Sequence, residues 1–94
     1  MALRLLVPME AAPGKRDELI KAFRTRSQEV RQERGCEEFE LYQSTERPDH
    51  LLLLERWTDE AALQVHSELN RQRSDNLASL RVGTTRAEQY ITQV

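Results

Sequence analysis

The sequence has few of the residues that cross-link small proteins or bind metals. It contains one cysteine, Cys36, so no internal disulfide can form, and with only two histidines no spacing resembles a zinc site. We interpret Cys36 as a small apolar residue at the start of a strand rather than as a catalytic thiol. Gly-rich phosphate loops and nucleophile elbows are absent as well. No metal and no cofactor are expected, although a flavin can bind without a motif.

Large core side chains and long apolar runs are also scarce. Aromatic residues make up 5% of the 94 residues, which we interpret as one domain spanning 1–94. Such a short chain buries only about two-thirds of the surface that its unfolded form exposes. The longest apolar run, Leu51 to Leu54, is far shorter than the roughly 20 residues of a membrane span, and the N-terminus does not resemble a signal peptide. We therefore expect a cytoplasmic protein with no membrane partner.

No excess of positive charge is present. The formal net charge is −2, and the basic residues are scattered among acidic ones rather than gathered into a stripe. A polyanion is recognised by a basic patch or stripe. The sequence therefore gives no indication of a nucleic-acid partner.

The hydrophobic pattern predicts strand, helix, strand, strand, helix and strand in that order. Pro13 and Gly14 precede the first helix, Gly35 ends it, and Thr58 or Asp59 caps the second. Arg31 and Arg34 are expected in the last turn of the first helix, and residues 70–76 form a polar link. The strands are expected at 2–9, 38–43, 51–57 and 86–91, and a short helical stretch is expected at 77–81.

This order is the split βαβ arrangement of ferredoxin-like α+β domains, with a four-stranded antiparallel sheet. Right-handed crossovers place both helices on one face of the sheet. The other face then exposes Leu6, Leu52 and Leu54, and a monomer rarely leaves such a patch open. An identical sheet related by a two-fold axis would cover it, so we expect a homodimer, that is, a dimeric α+β barrel.

His66 is the first candidate for chemistry. It lies on the apolar stripe of the second helix with Ala62, Val65 and Leu69, and its imidazole is expected to point toward the sheet. An imidazole there can act as a general base, because its ordinary pKa lies near neutrality. A structural histidine, hydrogen-bonded to a neighbour such as Glu55, has equal weight from position alone.

Trp57 and Glu55 share one face of the third strand with Leu53. Trp57 offers a wide aromatic wall for a planar ring, although an aromatic residue at the end of a central strand is more often part of the core. An inward Glu55 is costly to bury without a partner. We therefore expect it to be hydrogen-bonded, to His66 or to the Trp57 N–H.

Tyr42 and Tyr90 lie on the two strands predicted to be edges. A phenol at such a position can line a cleft or a dimer contact. Neither residue is diagnostic by itself. We include Tyr42 among the candidate substrate-binding residues.

Three segments, PGKRDEL, GCEEFELYQSTERPD and LLLLERWTDEAALQVH, together resemble the antibiotic biosynthesis monooxygenase family of dimeric α+β barrels. The resemblance implies a homodimer with a ligand cleft between the sheet and helices of each subunit. It also implies oxygenation of an electron-rich aromatic or quinol by molecular oxygen without metal or flavin, the substrate anion itself giving an electron to oxygen. The most specific pattern is E-x-W-x-D-x-x-A-L-x-x-H, formed by Glu55, Trp57, Asp59, Ala62, Leu63 and His66.

Two departures narrow what the resemblance implies. Polyketide-tailoring members have Asn four residues before the tryptophan and Tyr six after it, whereas these positions are Leu53 and Leu63 here. We keep both as candidate substrate-contact positions. Haem-degrading members have an Asn on the first strand, which residues 3–9 lack. The remaining similarity is to quinol-monooxygenase-like members, in which the recurring polar residue matches His66.

The leading hypothesis is a cofactor-independent monooxygenase of a small phenol or quinol, with His66 assisting deprotonation, Trp57 as the ring wall and Glu55 orienting one of them. One alternative is an isomerase of small phosphorylated carbonyl compounds, which would use cationic residues at the pocket mouth. The other is a non-catalytic ligand-binding or stress-response dimer with a more apolar cleft. Arg4, Arg56 and Arg86 are the candidate cations for the isomerase.

Overall fold

The sheet and helices follow the predicted order. The computed structural model describes residues 2–73, 77–83 and 87–92. Within these residues a short 3-10 helix, Leu77–Leu80, precedes the last strand. The chain therefore has the βαββαβ order of a ferredoxin-like domain. Its main elements are β1 (Ala2–Glu10), α1 (Arg16–Val30), β2 (Cys36–Gln43), β3 (His50–Trp57), α2 (Glu60–Gln72) and β4 (Glu88–Thr92).

The four strands form one antiparallel sheet in the order β2-β3-β1-β4. The two edges are β2 and β4, as the sequence predicted, and β3 is central. Its residues alternate strictly between the two faces of the sheet. Leu53, Glu55 and Trp57 are buried against the helices, whereas Leu52 and Leu54 are half-buried on the opposite face. We call the face without helices the open face.

The first helix covers the sheet with an apolar stripe. Leu19 and Val30 are fully buried and Phe23 is 5% exposed. Burying a side chain of this size stabilises the fold by about 1.5–3 kcal/mol. The helix ends at Val30, earlier than the sequence predicted, so Arg31 is its C-cap and Arg34 lies beyond it. A turn then leads to β2.

The second helix begins as predicted but buries less than predicted. Asp59 is its N-cap, and its carboxylate accepts a hydrogen bond from the Ala62 N–H at 2.9 Å. Only His66 of the expected stripe is buried, while Val65 and Leu69 are 58% and 40% exposed. Their exposure follows from helix geometry, because the face that looks inward carries His66 and, one turn later, Asn70.

The helix also continues through Gln72, so residues 70–72 of the predicted polar link are helical. Residues 74–76 of that link lie outside the described residues, as does Arg86, at which the last strand was predicted to begin. The described part of that strand, β4, pairs with β1. No helix among the described residues is long and apolar enough to cross a membrane.

The segment around the 3-10 helix is attached to the end of β1 by backbone hydrogen bonds. The Ala12 N–H donates to the Leu80 carbonyl at 2.9 Å, and the Val82 N–H donates to the Glu10 carbonyl at 2.8 Å. Ala11 and Arg81 form a bridge between these two bonds. The position of Arg81 is thereby set by the sheet.

Candidate active site

A cavity of about 420 Å³ lies between the sheet, α1, α2 and the segment that follows α2. Its size is within the range of small-molecule sites. The lining combines an apolar part with a compact group of polar side chains. The apolar lining residues are Val7, Met9, Phe23, Phe39, Leu53 and Leu77, and the polar ones are Arg26, Glu55, His66, Asn70, Arg73 and Arg81.

His66 is held from three sides at the wall of this cavity. Its Nδ1 lies 2.8 Å from Oε1 of Glu33, and its Nε2 lies 4.0 Å from Oε1 of Glu55. The ring packs against Trp57 with centroids 4.6 Å apart and planes tilted by 32°, and Phe39 meets it edge-on at 5.8 Å. When the Nδ1–H of the neutral ring donates a hydrogen bond to Glu33, Nε2 carries the lone pair. His66 can therefore accept a proton at Nε2.

Glu33 is a functional candidate that the sequence analysis missed. Its side chain is 10% exposed, and its second oxygen accepts a hydrogen bond from Nη2 of Arg73 at 2.8 Å. Both carboxylate oxygens are thus engaged, one by His66 and one by Arg73. The residue lies in the polar stretch after α1, where a glutamate is ordinarily solvated. Nothing in its local sequence distinguishes it from its exposed neighbours.

Glu55 is a buried acid of the site whose pKa is raised. Its Oε1 accepts a hydrogen bond from the Trp57 indole N–H at 3.0 Å, one of the two partners that the sequence predicted. Burial raises the pKa of Glu55 above its ordinary value by removing water from the carboxylate, and the charge of Glu33 raises it further. The Trp57 N–H and the charge of His66 oppose this rise. The carboxyl can therefore exchange a proton at a higher pH than an exposed glutamate.

The raised pKa of Glu55 predicts a pH-dependent stability. Above the ordinary value of 4.5 an unfolded Glu55 ionises while the folded one still holds its proton. The native state then binds more protons, so stability falls as pH rises from 4.5 through the raised pKa. Glu55→Gln removes this pH-dependent loss of stability and keeps a hydrogen-bond acceptor for the Trp57 N–H. We expect the free energy of unfolding of the variant, relative to wild type, to increase with pH, as measured by urea unfolding at several pH values.

The control for this experiment is Glu46→Gln, which removes an exposed carboxylate. Its unfolding free energy should follow that of wild type at every pH. If the curves of Glu55→Gln and wild type were parallel, Glu55 would not titrate differently in the folded and unfolded states.

Of the other predicted site residues, some line the cavity and some lie in the core. Leu53 lines the cavity. Trp57 was predicted to be the ring wall, but it is fully buried and lies behind the imidazole, so Phe23 and Phe39 supply the aromatic lining instead. Leu63 does not line the cavity and packs against the core.

The structure does not bring Tyr42 to this cavity. Tyr42 pairs with Leu52 across β2 and β3, so its side chain lies on the open face. Its hydroxyl donates to Glu40 at 3.2 Å, and this bond raises the pKa of Tyr42. Tyr42 borders a wider and more open groove of about 710 Å³, in which the His66–Glu55 pair has no part. We take the smaller cavity as the candidate site because His66 and Glu55 meet there and burial raises the pKa of Glu55.

Cys36 has the properties of a structural residue. It is half-buried, and burial, followed by the charges of Glu33 and Glu55, raises the pKa of its thiol to about 11. The thiol is therefore protonated at neutral pH and is a poor nucleophile. Among the residues that the structure describes, no group of three or more His, Cys, Asp or Glu side chains could hold a metal ion.

The arginines proposed for a phosphorylated substrate lie elsewhere. Arg4 pairs with Glu38 and Arg56 with Glu37 on the open face, and Arg86 is outside the described residues. The cations at the cavity are instead Arg26, Arg73 and Arg81. None of these was singled out from the sequence, because each occurs in a polar stretch typical of a solvated surface.

Solved structures of other proteins share this fold. A solved structure of a conserved protein from Methanosarcina mazei Go1 matches with a TM-score of 0.84 and 25% identity over 99% of this chain and 94% of that one. PA3566 from Pseudomonas aeruginosa matches with a TM-score of 0.82 and 26% identity over 99% of this chain and 95% of that one.

A curated relative matches by sequence alone. It is the Bacillus subtilis (strain 168) protein named "Putative monooxygenase YcnE", which is 30% identical over 60 residues, or 64% of this chain. The match spans 63% of that relative, slightly less than two-thirds of its length. The family model described as "Antibiotic biosynthesis monooxygenase" matches residues 3–73, which include β1 to α2 and the residues Glu33, Glu55 and His66. The chain belongs to the antibiotic biosynthesis monooxygenase family.

Proposed function

We propose that this protein is a cofactor-independent monooxygenase that oxidises a small phenol or quinol with molecular oxygen. The observation that carries the proposal is the position of His66, whose Nδ1 is bound by Glu33 while Nε2 is left to accept a proton beside a 420 Å³ cavity. Membership in a monooxygenase family supports the same conclusion.

The proposed reaction needs no external reductant. His66 takes the hydroxyl proton, and the resulting phenolate gives one electron to O₂, forming superoxide and a phenoxyl radical. The two recombine through a C–O bond to give a peroxide, which takes back the proton from His66. Cleavage of its O–O bond, with loss of the hydrogen on that ring carbon, releases water and leaves a quinone. The overall balance is phenol plus O₂ to quinone plus H₂O, in which the substrate supplies all four electrons. A quinol gives a hydroxyquinone in the same way.

Each polar residue has a separate role in this proposal. Glu33 positions the imidazole and stabilises its charge after proton transfer, as a carboxylate does for a catalytic histidine. Trp57 packs against the imidazole of His66 and restricts its movement. Glu55, whose pKa is raised, can donate a hydrogen bond to a substrate oxygen while it is protonated. The apolar lining excludes water from the radical pair.

Oxygen consumption with a panel of hydroquinones and phenols tests the proposal. We expect uptake above that of heat-denatured protein for at least one compound, and one heavy oxygen atom in the product when heavy-isotope O₂ is supplied. An absence of uptake across the panel, or a product without heavy oxygen, would contradict it.

We propose a homodimer that buries the open face of the sheet. Leu6, Leu52 and Leu54 lie on this face, and the described helices cover only the other one. A contiguous apolar strip of this kind is typical of an interface. The single cysteine forms no disulfide, which fits a reducing compartment, and we propose a cytoplasmic location.

The dimer is tested by placing a charge in the strip. We expect wild type to sediment at twice the chain mass of 11.0 kDa, and Leu54→Lys to sediment as a single chain because a buried unpaired ammonium disfavours association. Val65→Lys, at a position that is 58% exposed on α2, should remain dimeric. A wild-type protein that sediments only as a monomer at micromolar concentration would contradict the interface.

The non-catalytic alternative predicts a collapsed, dry cleft with His66 hydrogen-bonded inside the core. His66 is buried and hydrogen-bonded to Glu33, as this alternative predicts, but the cleft is not collapsed. An open cavity lined by His66 and Glu55 gives that alternative less support than it gives catalysis. The catalytic and non-catalytic hypotheses differ in whether a substrate is turned over, so the oxygen-uptake experiment separates them.

A further inference from the structure

An ion pair between Arg73 and Glu33 adjoins the hydrogen bond that holds His66. The Nη2 of Arg73 donates to Oε2 of Glu33 at 2.8 Å, while Oε1 of the same carboxylate lies 2.8 Å from Nδ1 of His66. The side chains of Arg73 and Glu33 are 18% and 10% exposed. The carboxylate therefore joins the guanidinium to the imidazole with little access to water.

The backbone fixes the points from which both side chains extend. The Glu33 N–H donates to the Val30 carbonyl at 2.9 Å, and the Glu33 carbonyl accepts from the Cys36 N–H at 3.2 Å. Arg73 is the C-cap of α2, and its N–H donates to the Asn70 carbonyl at 3.3 Å. The carboxylate can still rotate about its side-chain bonds, so its orientation depends on what binds its second oxygen.

Arg73 supplies the cation that this orientation requires. A buried carboxylate is costly unless a charge partner and hydrogen-bond donors compensate it, and a neutral imidazole offers one donor only. The acid Glu55 adds repulsion, because the charge of Glu33 raises the pKa of Glu55. Arg73 also lies 3.8 Å from Glu29, but that carboxylate is 57% exposed, and exposed ion pairs contribute little. The shorter and more buried bond to Glu33 is therefore the stronger of the two.

The orientation of Glu33 decides which nitrogen of the neutral imidazole carries the proton, because a hydrogen bond at one ring nitrogen fixes the tautomer. Without an acceptor at Nδ1 the proton can move to Nε2, which then has no lone pair with which to accept another. We propose that Arg73 is a positioning residue that holds the Glu33 carboxylate toward Nδ1 and thereby keeps the proton of neutral His66 on that nitrogen. The effect on catalysis rests on the proposed oxygenase function, whereas the tautomer does not.

NMR of the full chain, with its histidines labelled with heavy nitrogen, measures the tautomer without turnover. At an alkaline pH at which the imidazole is neutral, protonated and unprotonated ring nitrogens give well-separated resonances, and His50→Gln identifies those of the other histidine. We expect a protonated Nδ1 of His66 in wild type and a mixture with protonated Nε2 in Arg73→Gln. Arg73→Lys keeps the charge and should retain mainly the wild-type tautomer. Arg71→Gln removes an exposed arginine of α2 that pairs with Glu68, and it should match wild type.

Kinetics separate a positioning role from contact with the substrate. The kcat of Arg73→Gln for a hydroquinone should fall about 10–100-fold, the range for partners that orient a metal-bound histidine. Its KM should change little, because the guanidinium is engaged by carboxylates of the protein. A raised KM with the kcat of wild type would overturn the proposal, since Arg73 would then act on the substrate rather than through Glu33.

A protonated Nε2 in neutral His66 of the wild type would overturn the proposal, as would an unchanged tautomer in a folded Arg73→Gln. A thermal melt establishes folding, and Arg73→Met, which keeps the apolar stem without the charge, carries the same expectation if Arg73→Gln does not fold. The expected change of tautomer, together with no oxygen uptake by wild type from any phenol, would support the role of Arg73 and contradict the oxygenase function.

Discussion

His66→Gln is expected to lower the turnover of a hydroquinone by about 10²–10⁴-fold, the range associated with loss of a general base. Glutamine keeps a polar side chain near Glu33 but cannot take up a proton at the position of Nε2, 4.0 Å from Glu55. Substrate deprotonation then depends on water. The rate constant kcat, measured by oxygen uptake at saturating substrate, reports this step.

The second histidine provides a matched control. His50 lies at the start of β3, its side chain is 41% exposed, and it neighbours Glu10 rather than the cavity. His50→Gln should have the kcat of wild type. A folded His66→Gln with wild-type kcat would remove His66 from the mechanism, and a thermal melt of each variant establishes that it is folded.

Gly35→Ala is expected to destabilise the protein by about 2–5 kcal/mol, the sum of a left-handed backbone penalty and an overpacking penalty. Gly35 has φ +84, and a Cβ added there would lie 2.4 Å from the Cβ of Ala62 on α2. The clash involves a short side chain on a helix, so it can be relieved only by moving α2. Urea unfolding of wild type and variant measures the difference.

Gly14 is the control for the backbone part of this effect. It has a similar φ, +75, but a Cβ there would meet nothing within 4 Å. Gly14→Ala should therefore cost only the conformational penalty of about 1–2 kcal/mol. If both variants lost the same stability, close packing between the α1–β2 turn and α2 would not contribute to the effect of Gly35→Ala.

Part of the site was predictable from local sequence patterns. The helical spacing of α2 and the alternation of β3 each assign an inward face, and these faces carry His66 and Glu55. Both periods depend only on local geometry. The hydrogen bond between Trp57 and Glu55 follows similarly, because the two residues are two positions apart on one strand face.

Glu33 and Arg81 were not predictable by the same reasoning. Each lies in a polar stretch with no periodic pattern, and each reaches the site through a turn or a docked segment. Glu33 meets His66 across 33 positions of sequence, so the contact exists only because the α1–β2 turn packs against α2. The removal of water by this packing, rather than residue type, distinguishes Glu33 from other glutamates.

Local patterns in the sequence were therefore sufficient for the order of the elements, the central position of β3 and the inward orientation of His66, because strand and helix periods are properties of the chain itself. The tertiary structure alone decided which side chains face the imidazole. It placed Trp57 against His66, left Tyr42 on the open face, brought Glu33 to the imidazole of His66, and brought Arg73 and Arg81 to the cavity. Such contacts depend on how separate elements pack, which determines the distance between charges and their access to water.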